Sequence, residues 1–354
     1  MQKVLLNMTL TCLAICLCAC SSDVVRESSE FLKQKDALPW FSRCRIYDIN
    51  GQEAVLFPTD DGFATIDTET KKVDTIYDKL YAGISEFCYN SDNETIWAQL
   101  ENRNLNIWNS KTCTETACPP TKHQGEFVKW FGFGAYDPFF SFGNILYTGI
   151  NPSSDSDVNF ADFRAKSGLI AAWDISNPDS VRCVKIFGKR PSDQPKDMFI
   201  DDCYQTAFNV EDSIIVAGTE LSQNVVVMTM SGKTLREKKL SSKFYVKPEK
   251  KDFSQNHSAK DKMQYWEENM LFRGLFYDKY RKLYYRILQL PKQEDKSLFT
   301  KRKQGWVLIV ADSKLNKKYE LKFDGEKYKC AILIGKQGVY IRTTGNTMDL
   351  FVFD

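Results

Sequence analysis

The side chains able to do chemistry are few. Only two histidines exist, His123 in TKHQGE and His257 in KKDFSQNHSAKDK, both in polar stretches that read as solvated loops. General-base chemistry by imidazole is therefore poorly supplied. Neither a GxSxG elbow nor an HExxH helix is present. SGKT (231–234) has the tail of a phosphate-binding loop, but the first glycine of that pattern would be Val227. In NPSSDSDVNFADFR (151–164), Asp155, Asp157 and Asn159 alternate as at the start of a calcium loop. Phe160 stands where that loop needs glycine, and Lys166 where it needs glutamate. The stretch reads as a polar insertion, with calcium as the lesser alternative. No catalytic residue is assigned, and no cofactor is expected.

Cysteine is the abundant reactive residue, with eleven, four of them between Cys12 and Cys20. Lys3, an apolar run shorter than the ~20 residues of a spanning helix, and small residues after it read as a signal peptide. Leu17-Cys18-Ala19-Cys20 resembles the bacterial lipobox, in which an aliphatic residue and a small residue precede an invariant cysteine. The resemblance implies cleavage before Cys20, a thioether diacylglycerol on its sulfur, and a further acyl chain such as palmitate on the new amino terminus. Two or three such chains hold a domain firmly to a bilayer. The expected organisation is a signal peptide over 1–19, a short lipidated tether over 20–23, and one domain over 24–354. The expected location is the cell envelope, anchored to the outer membrane. Ser21-Ser22-Asp23 lacks an acidic run, which leaves the membrane face open.

Seven cysteines remain beside Cys20, so at least one is unpaired within the chain. Cys113 and Cys118 in CTETACPP are close enough to close a small loop as a candidate disulfide in an oxidising compartment. Two aromatic stretches give the candidate binding surface. Trp130, Phe131 and Tyr136 lie in KWFGFGAYDPFFSFG (129–143). Tyr277, Tyr280 and Tyr284 lie in YDKYRKLYYR (277–286). Such rings offer a platform for a sugar or a protein partner. Arg273, Arg281 and Arg286 offer bidentate clamps for an acidic group. Packing between sheets with snorkelling arginines is the competing and preferred reading.

The elements that must position these residues read as β throughout. Hydrophobic residues are 43% and aromatics 13%, enough for a large core, and a net charge of +2 gives no basic excess for nucleic acid. An apolar run, a polar turn and a second run recur in ATIDTETKKVDTI, LNIWNSKTCTE, AAWDISNPDSVRCVKI, VVVMTMSGKTLREKKL and LIVADSKLNKKYEL. Asp67, Asn109, Asp174 and Asp312 mark the reversals, where their side chains can hydrogen-bond the backbone ahead; Gly232 takes that place in the fourth copy. With two further runs upstream, each unit is a four-stranded meander of ~40–50 residues, the signature of a propeller blade. Six blades fit. The runs RCRIYDI, SEFCYNS, FVKWFGF, CYQTAFNV, LFRGLFYD and KCAILIG are the expected innermost strands, so Cys44, Cys88, Cys203 and Cys330 read as packing residues. VVVMTM and VLIVA are apolar without alternation, as strands covered on both faces are. The last unit lacks a fourth strand, and the segment 24–32 is its expected donor. Polar insertions are expected at about 151–166 and 241–262.

The segment LFRGLFYDKYRKLYYRILQLP (271–291), with LIVADSKLNKKYEL and GVYIRTTGNTMDLFVF, resembles a family of uncharacterised Bacteroidetes lipoproteins. These are related to TolB-like six-bladed propellers, and the family carries no defined activity. The expected function is a non-enzymatic envelope scaffold that binds a protein or a glycan. The alternative is a polysaccharide hydrolase or lyase with carboxylates in the central channel.

Overall fold

The computed structural model describes residues 24–29, 44–59, 62–70, 72–77, 84–92, 94–100, 105–108, 113–116, 121–123, 126–131, 139–152, 168–195, 204–248, 259–292, 304–345 and 347–353. Strand β1 (Val24–Ser29) comes first. The first complete sheet is β2 (Arg45–Ile49), β3 (Gln52–Thr59), β4 (Gly62–Asp67) and β5 (Val73–Tyr77). The second is β6 (Ile84–Asn90), β7 (Thr95–Leu100), β8 (Leu105–Trp108) and β9 (Cys113–Thr116). The third holds β10 (Thr121–His123), β11 (Glu126–Phe131), β12 (Phe139–Phe142), β13 (Ile145–Pro152), β14 (Ile170–Asp174) and β15 (Arg182–Phe187). The fourth is β16 (Tyr204–Asn209), β17 (Ile214–Thr219), β18 (Asn224–Thr229) and β19 (Thr234–Lys239). Helix α1 (Ala259–Glu268) leads to the fifth, β20 (Leu271–Asp278), β21 (Leu283–Gln289), β22 (Trp306–Ala311) and β23 (Lys317–Phe323). Strands β24 (Tyr328–Ile334), β25 (Val339–Thr343) and β26 (Met348–Phe353) form the last, and β1 completes it.

Each sheet is an antiparallel meander, and each packs face to face on the next. Strand β22 shows why its sequence carries no alternation. Val307, Ile309 and Ala311 pack toward the β16–β19 sheet, while Trp306, Leu308 and Val310 pack toward the β24–β26 sheet. The same two-sided packing links the remaining neighbours, and Leu333, Tyr340 and Leu350 of the last sheet meet Val55, Phe57 and Ile66 of the first. The circuit closes on itself, which makes the molecule an all-β propeller. Strand β1 seals the seam by pairing antiparallel with β26 from Val24↔Phe353 to Ser29↔Met348.

Six four-stranded blades were expected; five sheets have four strands and the remaining one has six. The reason lies in β13, which is long enough for two partners. Its first half pairs with β12 and its second half with β11. FVKWFGF is accordingly not an innermost strand. That place belongs to FFSF (139–142), where Ser141 accepts the Cys88 thiol at 3.6 Å. The insertion expected at about 241–262 falls partly within the described residues. Tyr245 stacks on Phe272, its hydroxyl donates to Leu221 O at 2.9 Å, and α1 packs Tyr265 against Leu221 and Leu271.

The turns into the fourth strands follow the expected chemistry. Asp67 Oδ1 accepts the N–H of Glu69 (2.9 Å) and of Thr70 (2.6 Å). Asp174 Oδ1 accepts from Ser176 N at 3.0 Å, and Asp312 Oδ1 from Lys314 N at 2.9 Å. Gly232 adopts φ +88°, and a Cβ there would also strike the Phe187 ring at 2.6 Å. Asn109 lies outside the described residues.

Candidate functional site

The first strands of the sheets line the centre of the ring, like position against like position. Gln205 of β16 donates to Phe272 O of β20, and Arg45 of β2 faces Glu86 of β6 at 3.6 Å. All run in one sense, from a loop end to the hairpin end where each turns into its second strand. The two ends of the channel differ in chemistry.

The hairpin end is tied by internal bonds between sheets. Asp278, at 0% exposure, ion-pairs with Arg281 at 2.6 Å and accepts the Tyr285 hydroxyl at 3.0 Å. Arg281 then donates to Gly335 O and Lys336 O in the next sheet's hairpin. Lys336 N donates to Glu53 Oε1 at 2.7 Å, and the Tyr280 hydroxyl reaches the same oxygen at 3.3 Å. The network joins three sheets. A repeat underlies it that sequence reading missed. Asn90, Asn209 and Asp278 are buried at the ends of first strands and accept N–H groups two or three residues on. Glu94, Ser213 and Lys282, four positions further along, each have φ +54°. The spacing is legible in YNSDNETIW, FNVEDSIIV and YDKYRKLYY as an aromatic residue, then Asn or Asp, then a β run five positions later.

The loop end carries charged side chains drawn toward the channel. Pairing registers break near the starts of three first strands, at Ile84/Glu86, Phe272/Gly274 and Tyr328/Ile332. A bulge leaves a residue unpaired and re-aims its side chain, and bulges gather beside functional sites. Arg273 and Lys329 are residues so released. Arg273 ion-pairs with Glu220, takes the Gln289 side-chain oxygen on Nε at 2.9 Å, and lies over the Trp266 ring of α1 at 5.7 Å. Glu220 is fully buried, so this pair is an internal tie of the β17–β18 connection to β20. Arg45 and Glu86 make the matching pair two sheets away, with Arg45 at 30% side-chain exposure. Beside Arg45 the Cys44 thiol is buried and pushed up to about 12 by that burial, and burial does the same to Cys88. Both are packing residues with no thiolate to offer at neutral pH.

The expected binding surface does not form one patch. Tyr284 and Arg286 are each 0% exposed. Arg286 is a bolt between sheets. It donates to Leu240 O (2.7 Å), Ser222 O (2.8 Å), Gln223 O (3.0 Å) and Thr219 O (3.3 Å), and stacks 3.6 Å from the Phe272 ring centroid. Burial pulls its pKa down to about 9. Gly218 makes room for it, since a Cβ there would sit 3.0 Å from Nη2. Tyr277 is half-buried against Tyr284, and Arg281 belongs to the ion pair above. Tyr280 alone of this segment's aromatics is exposed, at the hairpin end, away from Arg273. The backbones of Trp130 and Phe131 lie in β11; their side chains, Tyr136, Cys118, Cys20, and the calcium candidates Asp155, Asp157 and Asn159 lie outside the described residues. Cys113 is placed in β9, so the candidate disulfide stands as an expectation. Among the described residues, no three His, Cys, Asp or Glu side chains gather to hold a metal ion, and no helix is long and apolar enough to cross a membrane.

No curated protein matches the chain. Among solved structures it is similar to a crystal structure of a DUF4221 family member from Bacteroides vulgatus, with a TM-score of 0.73 and 17% identity over 94% of this chain and 98% of that one. That likeness shows the fold. Two others are more distant: the Myceliophthora thermophila Cps50 (Swd1) β-propeller domain (TM-score 0.42, 7% identity, 90% and 99% covered) and a luciferin-regenerating enzyme (TM-score 0.44, 9% identity, 94% and 95% covered). Neither likeness is high enough to bear on function. The DUF4221 profile, a domain of unknown function, matches residues 119–322, more than half of the sequence, and the chain belongs to that family.

Proposed function

We propose that the protein is a non-enzymatic scaffold of the cell envelope, lipid-anchored through Cys20 to the outer membrane, whose propeller binds an envelope protein or a glycan at the loop end of its channel. The carrying observation is the arrangement of charge there. A bulged first strand presents Lys329, and the inner carboxylates Glu86 and Glu220 each face an arginine. A glycosidase needs two carboxyl groups roughly 5–9.5 Å apart with separate duties, and propellers serve many unrelated roles. The lipobox resemblance at Leu17–Cys20 supports the anchor.

Two measurements test the reading. Cys20→Ala should abolish labelling by a radioactive fatty acid and move the protein from the membrane to the soluble fraction; retention of label would refute the anchor. Affinity capture of the tagged, detergent-solubilised protein should bring down a partner in constant ratio or retain a glycan. Turnover of any polysaccharide in a panel by the purified protein would overturn the non-enzymatic assignment.

A further inference from the structure

Three cations meet at one place on the loop end. Lys329 sits within the register break of β24, between the pairs Tyr328↔Thr343 and Ile332↔Ile341, which sets it beside Arg342 of β25. Arg342 alternates with Ile341, whose side chain packs toward the β20–β23 sheet, and so shares the other face with Tyr340, toward the β2–β5 sheet. On that face lies Cys44, packed in the same cluster as Met348, the cross-strand partner of Arg342. Arg45 follows it in the chain, and its Nη1 donates to Cys44 O at 3.0 Å. Lys329 is exposed, and Arg45 and Arg342 are partly so. Glu86 lies 3.6 Å from Arg45 and brings a carboxylate to this group.

Like charges on neighbouring strands weaken a sheet, and the strain registers on the lysine. The partial desolvation of its inner end first, and then the Arg342 charge, hold the Lys329 ammonium below its ordinary value. The bulge that brings these like charges together is a local irregularity, and local rules are broken mostly at functional sites. Two guanidinium forks and an ammonium suit an oxyanion, which accepts charge-assisted hydrogen bonds from several directions at once.

We propose that Arg45, Lys329 and Arg342 form an oxyanion-binding site at the loop end of the channel, which takes the carboxylate or phosphate group of a small ligand or of a sugar residue. The inference rests on the loop end being the binding face and names the chemistry that it recognises.

The test is calorimetric titration of the full chain in a non-ionic detergent, with glucuronate, inorganic phosphate and neutral glucose as probes. Glucuronate or phosphate should bind, glucose should not, and 0.5 M salt should weaken binding several-fold. A preference for glucuronate would assign the site to carboxylates, and a preference for phosphate to phosphoryl groups. Lys329→Gln and Arg342→Gln should each weaken binding at least tenfold. Lys239→Gln, on the exposed outer strand β19, should leave it unchanged. Lys329→Gln removes a repelled charge, so it should unfold at or above the wild-type temperature; this keeps the test informative if Arg342→Gln folds poorly. Absence of oxyanion binding by the wild type at millimolar probe would overturn the proposal, as would full binding by Lys329→Gln. A protein partner captured in spite of either result would leave the scaffold reading standing.

Discussion

Removing residues 24–29 tests how the ring is held. Strand β1 pairs with β26 over six residues. Alternate pairs of an antiparallel ladder exchange two hydrogen bonds each, which gives about six bonds. At about 1 kcal/mol net apiece, the strand contributes on the order of 6 kcal/mol. A folded domain is stable by roughly 5–15 kcal/mol, so the deletion should remove a large share of the total. It should not abolish folding, because Leu333, Tyr340 and Leu350 still pack on Val55, Phe57 and Ile66 across the same seam. Urea unfolding followed by tryptophan fluorescence reads the effect. The midpoint should fall steeply while the slope changes little, since the surface buried elsewhere is kept. An unchanged midpoint, or a loss under about 1 kcal/mol, would refute the view that β1 closes the ring.

Three further outcomes are expected. Asp278→Ala strips the buried partner from Arg281 and the acceptor from Tyr285, and should cost about 3–5 kcal/mol in denaturant unfolding; Asp278→Asn, which keeps an oxygen for the Tyr280 and Arg281 N–H groups, should cost less. Arg286→Met leaves four carbonyls without their donor and should destabilise by about 3 kcal/mol or more, and Arg286→Lys should not restore the loss in thermal melting, because one ammonium cannot fork to four carbonyls. The Ser176 hydrogen bonds, and then Arg182, hold the Asp174 carboxyl at about 2, below its ordinary value. Its folded pKa is depressed, so its contribution is complete above about pH 4 and is lost as pH falls through about 2. The melting-temperature gap between the wild type and Asp174→Asn should therefore narrow across that window, and a constant gap would count against it.

The blades were legible where local chemistry decides them. Asp67, Asp174, Asp312 and Gly232 each mark a reversal that the backbone makes, because an Asx turn or a left-handed glycine needs only its near neighbours. The two-sided cover of β22 was legible too, since a strand buried on both faces cannot alternate. Arg286 was not, because its four acceptors come from segments more than forty residues away. A guanidinium that would be solvated on a surface is satisfied in the core only by that tertiary arrangement. The third sheet misled for a related reason. FVKWFGF and FFSF carry the same β signal, and the length of β13 decides that both can pair with it. The cations around Cys44 lie on three strands of two sheets, so their meeting exists only once the ring has closed.

The seam joins the earliest strand of the chain to the latest, with more than three hundred residues between Ser29 and Met348. During synthesis β1 is made first and cannot pair until β26 exists. Until then β26 presents a bare edge, and such an edge accepts any compatible strand. Fifteen residues separate β1 from β2. When two copies fold close together, the β1 of each can complete the β26 of the other, an exchange that uses no new contact. Refolding at high concentration should thus give swapped dimers that dilution alone separates slowly.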